Sequence, residues 1–305
     1  MNATFIDPAL DNDVLASARG VTMRFGSVTA LDDVTFDLRE NTVYGLLGRN
    51  GAGKTTLMQV LTGQIFQTSG EVRINGAAPH ENAEVLRSVS FIKESQAYPA
   101  DYKVGQVLYA ARHLLPNWDE GFARELVRDF DLPTDRKVKK LSRGMLSALG
   151  VILGLASRAP LTFFDEPNLG LDAVARQLFY DHLLADYAEH PRTVVLSTHL
   201  IDEVAGLLER VLLIDRGRLV ADASADELRD RALTVSGPTA DIDHFVAGRP
   251  ELRRESLGSQ SRVLLRTSDN AADTQHAKTL GLLAEPVSLQ QFIVETTTLH
   301  GKEQS

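Results

Sequence analysis

The run Gly48-Arg49-Asn50-Gly51-Ala52-Gly53-Lys54-Thr55 constrains this chain more than any other feature. It follows Thr42 to Leu47, an apolar stretch rich in β-formers, and leads into Thr55 to Leu61, whose pattern predicts a helix. A strand that breaks at glycines and resumes as a helix is the setting in which a loop can wrap a phosphate. Glycines let backbone N–H groups approach the α and β phosphates, and the helix N-terminus favours negative charge. Lys54 reaches the β and γ phosphates, and Thr55 offers a hydroxyl to Mg²⁺. Gly48, Asn50, Gly51, Ala52, Gly53, Lys54, Thr55 and Thr56 are therefore the candidate nucleotide-binding residues. A chance glycine-rich turn is the rival reading, and it does not explain Lys-Thr at the fixed offset between a strand and a helix.

A second feature is Leu161-Thr162-Phe163-Phe164-Asp165-Glu166, an apolar strand ending in adjacent carboxylates. Asp165, at the strand end, is placed to hold Mg²⁺ or its water, and Glu166 to polarise the water that attacks a γ-phosphate. An acidic strand end facing solvent would look the same in isolation; beside a phosphate loop it is the lesser reading.

Composition narrows the rest. The chain has 305 residues, 43% of them hydrophobic, enough to bury a large domain and a smaller one. A formal net charge of -9 removes the basic footprint of a nucleic-acid binder, so no nucleic-acid partner is expected. No cysteine is present, which excludes disulfides, zinc–thiolate sites and thiol catalysis. The acidic start MNATFIDPALDNDVLA does not read as a secretory signal, and the apolar runs fall far short of the roughly 20 residues needed to span a bilayer. A cytoplasmic protein follows as the expectation.

Alternation of strands and helices predicts an α/β fold. Ala18 to Met23 and Val34 to Leu38 read as short antiparallel strands, and Leu161 to Phe164, Thr193 to Leu196 and Val211 to Ile214 as strands of a parallel sheet. Around 104–150 the pattern becomes helical; Asp119 caps a helix whose stripe of Phe122, Leu126 and Phe130 serves packing. The expected organisation is a leader over 1–17, a nucleotide-binding domain over 18–223 with a helical subdomain at about 104–150, and a small C-terminal α+β appendage over 230–305. In the appendage only Ala232 to Val235 and Arg262 to Thr267 read as strands.

The family is identified by what surrounds the two carboxylate and phosphate motifs. Leu141-Ser142-Arg143-Gly144-Met145 precedes the carboxylate strand, and the order of motifs from about Ala18 to Ala223 resembles the ABC (ATP-binding cassette) ATPases. The resemblance implies a P-loop core with a mixed sheet and flanking helices, an antiparallel β subdomain and a helical subdomain. Family members carry a Leu-Ser-Gly-Gly-Gln signature whose serine and glycine bind the γ-phosphate held by the other subunit; Ser142 and Gly144 match, whereas Arg143 and Met145 do not. Phe25 resembles the aromatic that stacks on adenine. Asn168-Leu169-Gly170-Leu171-Asp172 resembles the loop that touches the opposite subunit, through Leu171 and Asp172. Ser197-Thr198-His199 resembles the switch-histidine segment, which makes His199 a catalytic candidate beside Glu166; the seven other histidines show no metal-ligand spacing. Where the family has a metal-contacting glutamine, this chain has Lys93-Glu94-Ser95-Gln96, so Glu94 by position, or Gln96, takes that place.

The resemblance further implies ATP and Mg²⁺ as cofactors, a homodimer or a heterodimer with a second ATPase subunit, and separate integral membrane permease subunits at the cytoplasmic face of the membrane. Glu285-Pro286-Val287-Ser288-Leu289-Gln290-Gln291-Phe292 resembles the endings of ATPases that serve ABC-2-type exporters. The rival functions are a soluble ABC ATPase acting on a macromolecule such as the ribosome, which would commonly carry two cassettes, and a nucleotide sensor that does not hydrolyse, against which Lys54, Asp165, Glu166 and His199 argue.

Overall fold

The computed structural model describes residues 13–94 and 96–303, with side chains as far as Thr297. Most of the expected leader, residues 1–12, lies outside the described residues. By contacts the chain divides into two units, Met1–His199 with Arg210–Asp222, and Leu200–Glu209 with Ala223–Ser305.

The first unit opens with β1 (Val14–Phe25) and β2 (Val28–Arg39), both longer than the sequence pattern indicates. Extension of β1 back to Val14 buries Leu15 and Ala16, so the strand takes in residues expected to belong to the leader. Then follow β3 (Val43–Leu47), α1 (Lys54–Leu61), β4 (Ser69–Ile74), α2 (Ala83–Arg87) and β5 (Val89–Ile92). The helical stretch supplies α3 (Val104–Leu114), α4 (Glu120–Asp129) and α5 (Arg143–Ala156). Asp119 caps α4 by accepting from Phe122 N, as its position before the apolar stripe predicts. After β6 (Leu161–Asp165), α6 (Ala173–Glu189) and β7 (Thr193–Ser197), the chain passes through α7 (Ile201–Val204), which belongs to the second unit, to β8 (Arg210–Asp215) and β9 (Arg218–Ser224).

Two sheets result. One has strand order β5-β6-β7-β3-β8-β9, with β5/β6, β6/β7, β7/β3 and β3/β8 parallel; the other is antiparallel, in the order β2-β1-β4. Every residue of β3, β6 and β7 is buried, the mark of a parallel sheet covered on both faces. One cluster joins both sheets to α1, with Leu31, Tyr44, Leu57, Met58 and Phe163 among its fully enclosed side chains. Because β3, β6 and β7 run in the same direction, their carboxyl ends and the loops that leave them collect on one edge. In open α/β sheets that edge is where ligands bind.

Helix α5 sits unusually close to the sheet. A Cβ at Gly154 would lie 2.4 Å from Phe164 Cε1 and 2.8 Å from Ile92 Cγ1, and one at Gly150 would lie 3.0 Å from Ile92 Cγ2. No side chain fits between, so glycine is what allows the approach.

In the second unit α8 (Ala225–Asp230) is closed by a capping box between Ser224 and Glu227. Beyond it come β10 (Ala232–Pro238), α9 (Thr239–Val246), β11 (Glu251–Leu257), β12 (Gln260–Arg266), α10 (Asn270–Thr279), β13 (Leu283–Pro286) and α11 (Leu289–Glu303). The strands pair antiparallel in the order β11-β12-β10-β13. A βαββαβ chain with that order is the ferredoxin-like arrangement. Its core is its own, formed by Leu233, Val235, Ile242, Phe245, Val263 and Leu265 with the residues around them. Sequence pattern finds only β10 and β12 here, because β11 carries the exposed charges Arg253, Arg254 and Glu255 and β13 has four residues.

The close seat of α5 yields a test. Gly154→Ala forces the new methyl into Phe164, and overpacking of this kind costs about 1–3 kcal/mol. Urea unfolding should show a loss in that range; an unchanged midpoint would mean that helix and sheet separate freely.

Candidate functional site

The phosphate loop is held in a shape that only its own residues permit. Gly48 has φ 152° and a Cβ there would lie 2.1 Å from Ile214 O; Gly53 has φ 110° and its Cβ would lie 2.6 Å from Ala30 O. Any side chain at either position would push the loop off β8 or off the start of β2. Gly53 is also the N-cap of α1 and supplies no side-chain cap, so the first N–H groups of the helix are left for an anion. Lys54, buried at 7% exposure, folds back so that Nζ donates to Gly48 O (2.8 Å) and Arg49 O (3.3 Å). Burial lowers its pKa, and the charges of Glu166 and Asp165 partly restore it. Phe25, the last residue of β1, is 50% exposed, an aromatic side chain left in solvent.

Across the loop stand the two carboxylates. Asp165, at 4% exposure, accepts a 2.7 Å hydrogen bond from Thr55 Oγ1 through Oδ2. Its Oδ1 is buried without a hydrogen-bond partner among the described residues. Burial raises the Asp165 pKa, the Thr55 hydrogen bond, the facing Ser197 hydroxyl and the Lys54 charge oppose the rise, and the charge of Glu94 adds to it. The pairing Asp165↔Ser197 sets the carboxyl ends of β6 and β7 side by side. Glu166 N donates to Ser197 O (2.9 Å), and Glu166 Oε2 lies 2.7 Å from His199 Nδ1. Glu166 takes φ 50°, a left-handed conformation that strains a residue with a long side chain. An orphaned buried carboxylate oxygen and a threonine hydroxyl, both hard oxygen donors beside a phosphate cradle, fit Mg²⁺.

The remaining candidates lie around α5 and α6. Ser142 is the N-cap of α5, its hydroxyl accepting from Met145 N (3.2 Å). Gly144 backs onto Gly170 O, 2.8 Å from where a Cβ would stand, and Ser147 Oγ donates to Leu169 O (2.5 Å). Leu171 is buried and Asp172 caps α6 by accepting from Ala175 N (2.8 Å). No hydrogen bond joins Ser142 to the phosphate loop among the described residues, so that serine is not gathered into the same cluster as Lys54. Asn50, Gly51, Ala52 and Thr56 lie in the loop and the first turn of α1, and Gln96 lines a cavity of about 530 Å³ with Glu94, Arg143, Glu166 and Ser147.

Sequence reasoning missed three partnerships. Arg143 Nη2 lies 3.1 Å from Glu94 Oε1, joining two of the three positions that depart from the family pattern, the third being Met145. Thr198 Oγ1 donates to Asn168 Oδ1 (3.2 Å), linking the loops that follow β6 and β7. His182 Nε2 lies 3.1 Å from Asp129 Oδ2 with Glu125 close by, so one histidine without local ligand spacing does meet carboxylates through the fold. Only the first had a signal in the sequence, namely two departures of opposite charge.

With the geometry in place, comparison with known proteins decides the family. Residues 31–169 match the profile of the ABC transporter family. The doxorubicin resistance ATP-binding protein DrrA of Mycobacterium tuberculosis is 33% identical over 259 residues, 80% of this chain and 78% of that protein. The chain belongs to the ABC transporter ATP-binding proteins. It is therefore an ATPase subunit of a transporter, and the ribosome-directed alternative is not favoured. The daunorubicin resistance ATP-binding protein DrrA3 of Streptomyces coeruleorubidus is 29% identical over 318 residues, 94% of this chain and 96% of that protein. A solved ATP-binding subunit of an ABC transporter matches in fold with a TM-score of 0.64 at 23% identity, covering 70% of this chain and 92% of the other. Among the described residues no helix of this ABC ATPase is long and apolar enough to cross a membrane.

The buried Asp165 makes a stability prediction. Its folded pKa stands above the usual aspartate value, so the folded protein loses stability as pH rises through the interval between the two. Asp165→Asn removes that loss: without nucleotide or metal, the variant should be more stable than the parent at pH 7, and the gap should close as pH falls below the usual aspartate pKa. Urea midpoints across pH measure it, and a variant less stable at every pH would contradict the burial argument.

Proposed function

We propose that this subunit binds Mg-ATP through the phosphate loop, hydrolyses it with Glu166 as the base, and works as one half of a dimer that drives separate membrane permease subunits. The observation that carries the reading is the convergence of Lys54, Thr55, Asp165, Glu166 and His199 on one sheet edge. Thr55 and Asp165 are the proposed metal ligands, with Glu94, whose charge reaches Asp165, as the third contact in preference to Gln96. When bound, Mg²⁺ neutralises charge on the β and γ phosphates. Lys54 then leaves the carbonyls of Gly48 and Arg49 for the phosphate oxygens. Glu166 takes the proton of the attacking water, and His199 holds the Glu166 carboxylate in place through Nδ1. Phe25 stacks on the base. ABC-2-type export is the proposed kind of transport, supported by relatives named for doxorubicin and daunorubicin resistance. The subunit acts at the cytoplasmic face of the membrane, bound to its permease.

Glu166→Gln keeps the phosphate cradle and removes the base. ATP affinity should survive while turnover falls by about 10²- to 10⁴-fold, the usual worth of a general base. Near-parental turnover would move the role to another residue.

The dimer is tested through Ser142. In the proposed arrangement Ser142 and Gly144 meet the nucleotide on the opposite phosphate loop, and Leu171 and Asp172 touch that subunit. In the Glu166→Gln background, chains carrying Lys54→Ala and chains carrying Ser142→Ala should each associate poorly with ATP. Mixed, they rebuild one complete site, and differently tagged chains should then co-purify. Association no better than either variant alone, while chains with only Glu166→Gln associate readily, would show that Ser142 does not serve the neighbour.

A further inference from the structure

Glu94 and Arg143 occupy two of the three positions at which this chain leaves the family pattern, and they are each other's partners. Glu94 lies in the turn after β5 with its carboxylate 3.1 Å from the guanidinium of Arg143, the first residue of α5. Both residues line the cavity that Glu166 also lines, so the pair stands next to the hydrolysis site. Lys93, which also lines that cavity, places Nζ 5.4 Å from the centroid of the Phe91 ring.

We infer that this pair is a latch: Arg143 holds the Glu94 carboxylate while the site is without nucleotide, and Glu94 exchanges Arg143 for the divalent cation when Mg-ATP binds. The inference rests on the reading of Glu94 as a metal contact. Magnitudes favour an exchange. The side chains are 70% (Arg143) and 47% (Glu94) exposed, and ion pairs of that kind contribute little, so Arg143 competes for the carboxylate without blocking it. Once Glu94 lets go, α5 loses its tie to the β5 turn. It keeps the ties to the loop after Glu166, through Ser147 Oγ to Leu169 O and through the contact of Gly144 with Gly170. The helix end that carries Ser142 is thereby untied from the turn after β5 by metal arriving at the chain's own phosphate loop, and Arg143 acts as a positioning residue through Glu94.

A charge cycle tests this in the full-length Glu166→Gln protein, which binds without turnover. ATP affinity is measured by calorimetry with and without Mg²⁺, and the ratio is compared among the parent, Glu94→Gln, Arg143→Gln and the double variant. Arg143→Gln should raise the Mg²⁺ enhancement by about two- to fivefold, the range of an exposed ion pair. Arg143→Lys, which keeps the charge, should return it toward the parent. Glu94→Gln should lower the enhancement, and adding Arg143→Gln to it should then change nothing. If Glu94→Gln lowers the enhancement but Arg143→Gln leaves it unchanged, or shifts it equally in both backgrounds, the latch is wrong and the metal contact stands. If Glu94→Gln has no effect, the metal contact itself fails and the latch falls with it.

Discussion

The buried carboxylate at the end of β6 is the constraint around which the rest is arranged. Asp165 can be ionised at 4% exposure only if charge and hydrogen bonds are brought to it, and the parallel sheet does so. β3 delivers the phosphate loop and Lys54, α1 places the Thr55 hydroxyl on Oδ2, and β7 lies alongside so that Ser197 pairs with Asp165 and His199 reaches Glu166. Each supporting group comes from a different stretch of sequence. The buried charge still costs stability with all of them present, and would cost more without any one, which couples the integrity of the site to the integrity of the sheet.

A second buried acid performs a structural task at the helical side of the same unit. Asp186 in α6 binds Arg192 through Oδ2 (2.6 Å) and Arg158 through Oδ1 (2.7 Å), while Arg158 also reaches Asp119, the cap of α4 (2.7 Å). The cluster ties the end of α6, the entry to β7 and the helical segment together. Arg192 is nearly enclosed, and burial lowers its pKa, yet it keeps a carboxylate at hand. Losing Asp186 would strand that charge, which is why such clusters tolerate single substitutions poorly.

Much of the first unit was legible because its signals are local. The loop from Gly48 to Thr55, the apolar runs of β3, β6, β7 and β8 and the Asp119 cap each announce themselves within a few residues. The accessory unit was mostly illegible: β11 turns charged residues to solvent and β13 is too short for a period to show, so their existence depends on pairing with β10 and β12. At the site, residue types could be read, but of the partnerships only Arg143 with Glu94 left a trace, two departures of opposite charge. Arg143 with Glu94 and Thr198 with Asn168 are meetings created by the fold, between residues whose spacing in the chain carries no period.

The left-handed backbone of Glu166 sets two demands against each other. At φ 50° the main chain would be more comfortable with glycine or asparagine, while the chemistry assigned there needs a carboxylate. A β-branched residue is shut out by sterics, and an aspartate would ease the backbone but fall short of the reach to His199. A descendant of this chain that no longer needed hydrolysis would be under only the first demand, and drift at this position would run toward glycine or asparagine. The identity of one residue in a tight turn therefore serves as a marker of whether a cassette still turns over its nucleotide or merely holds it.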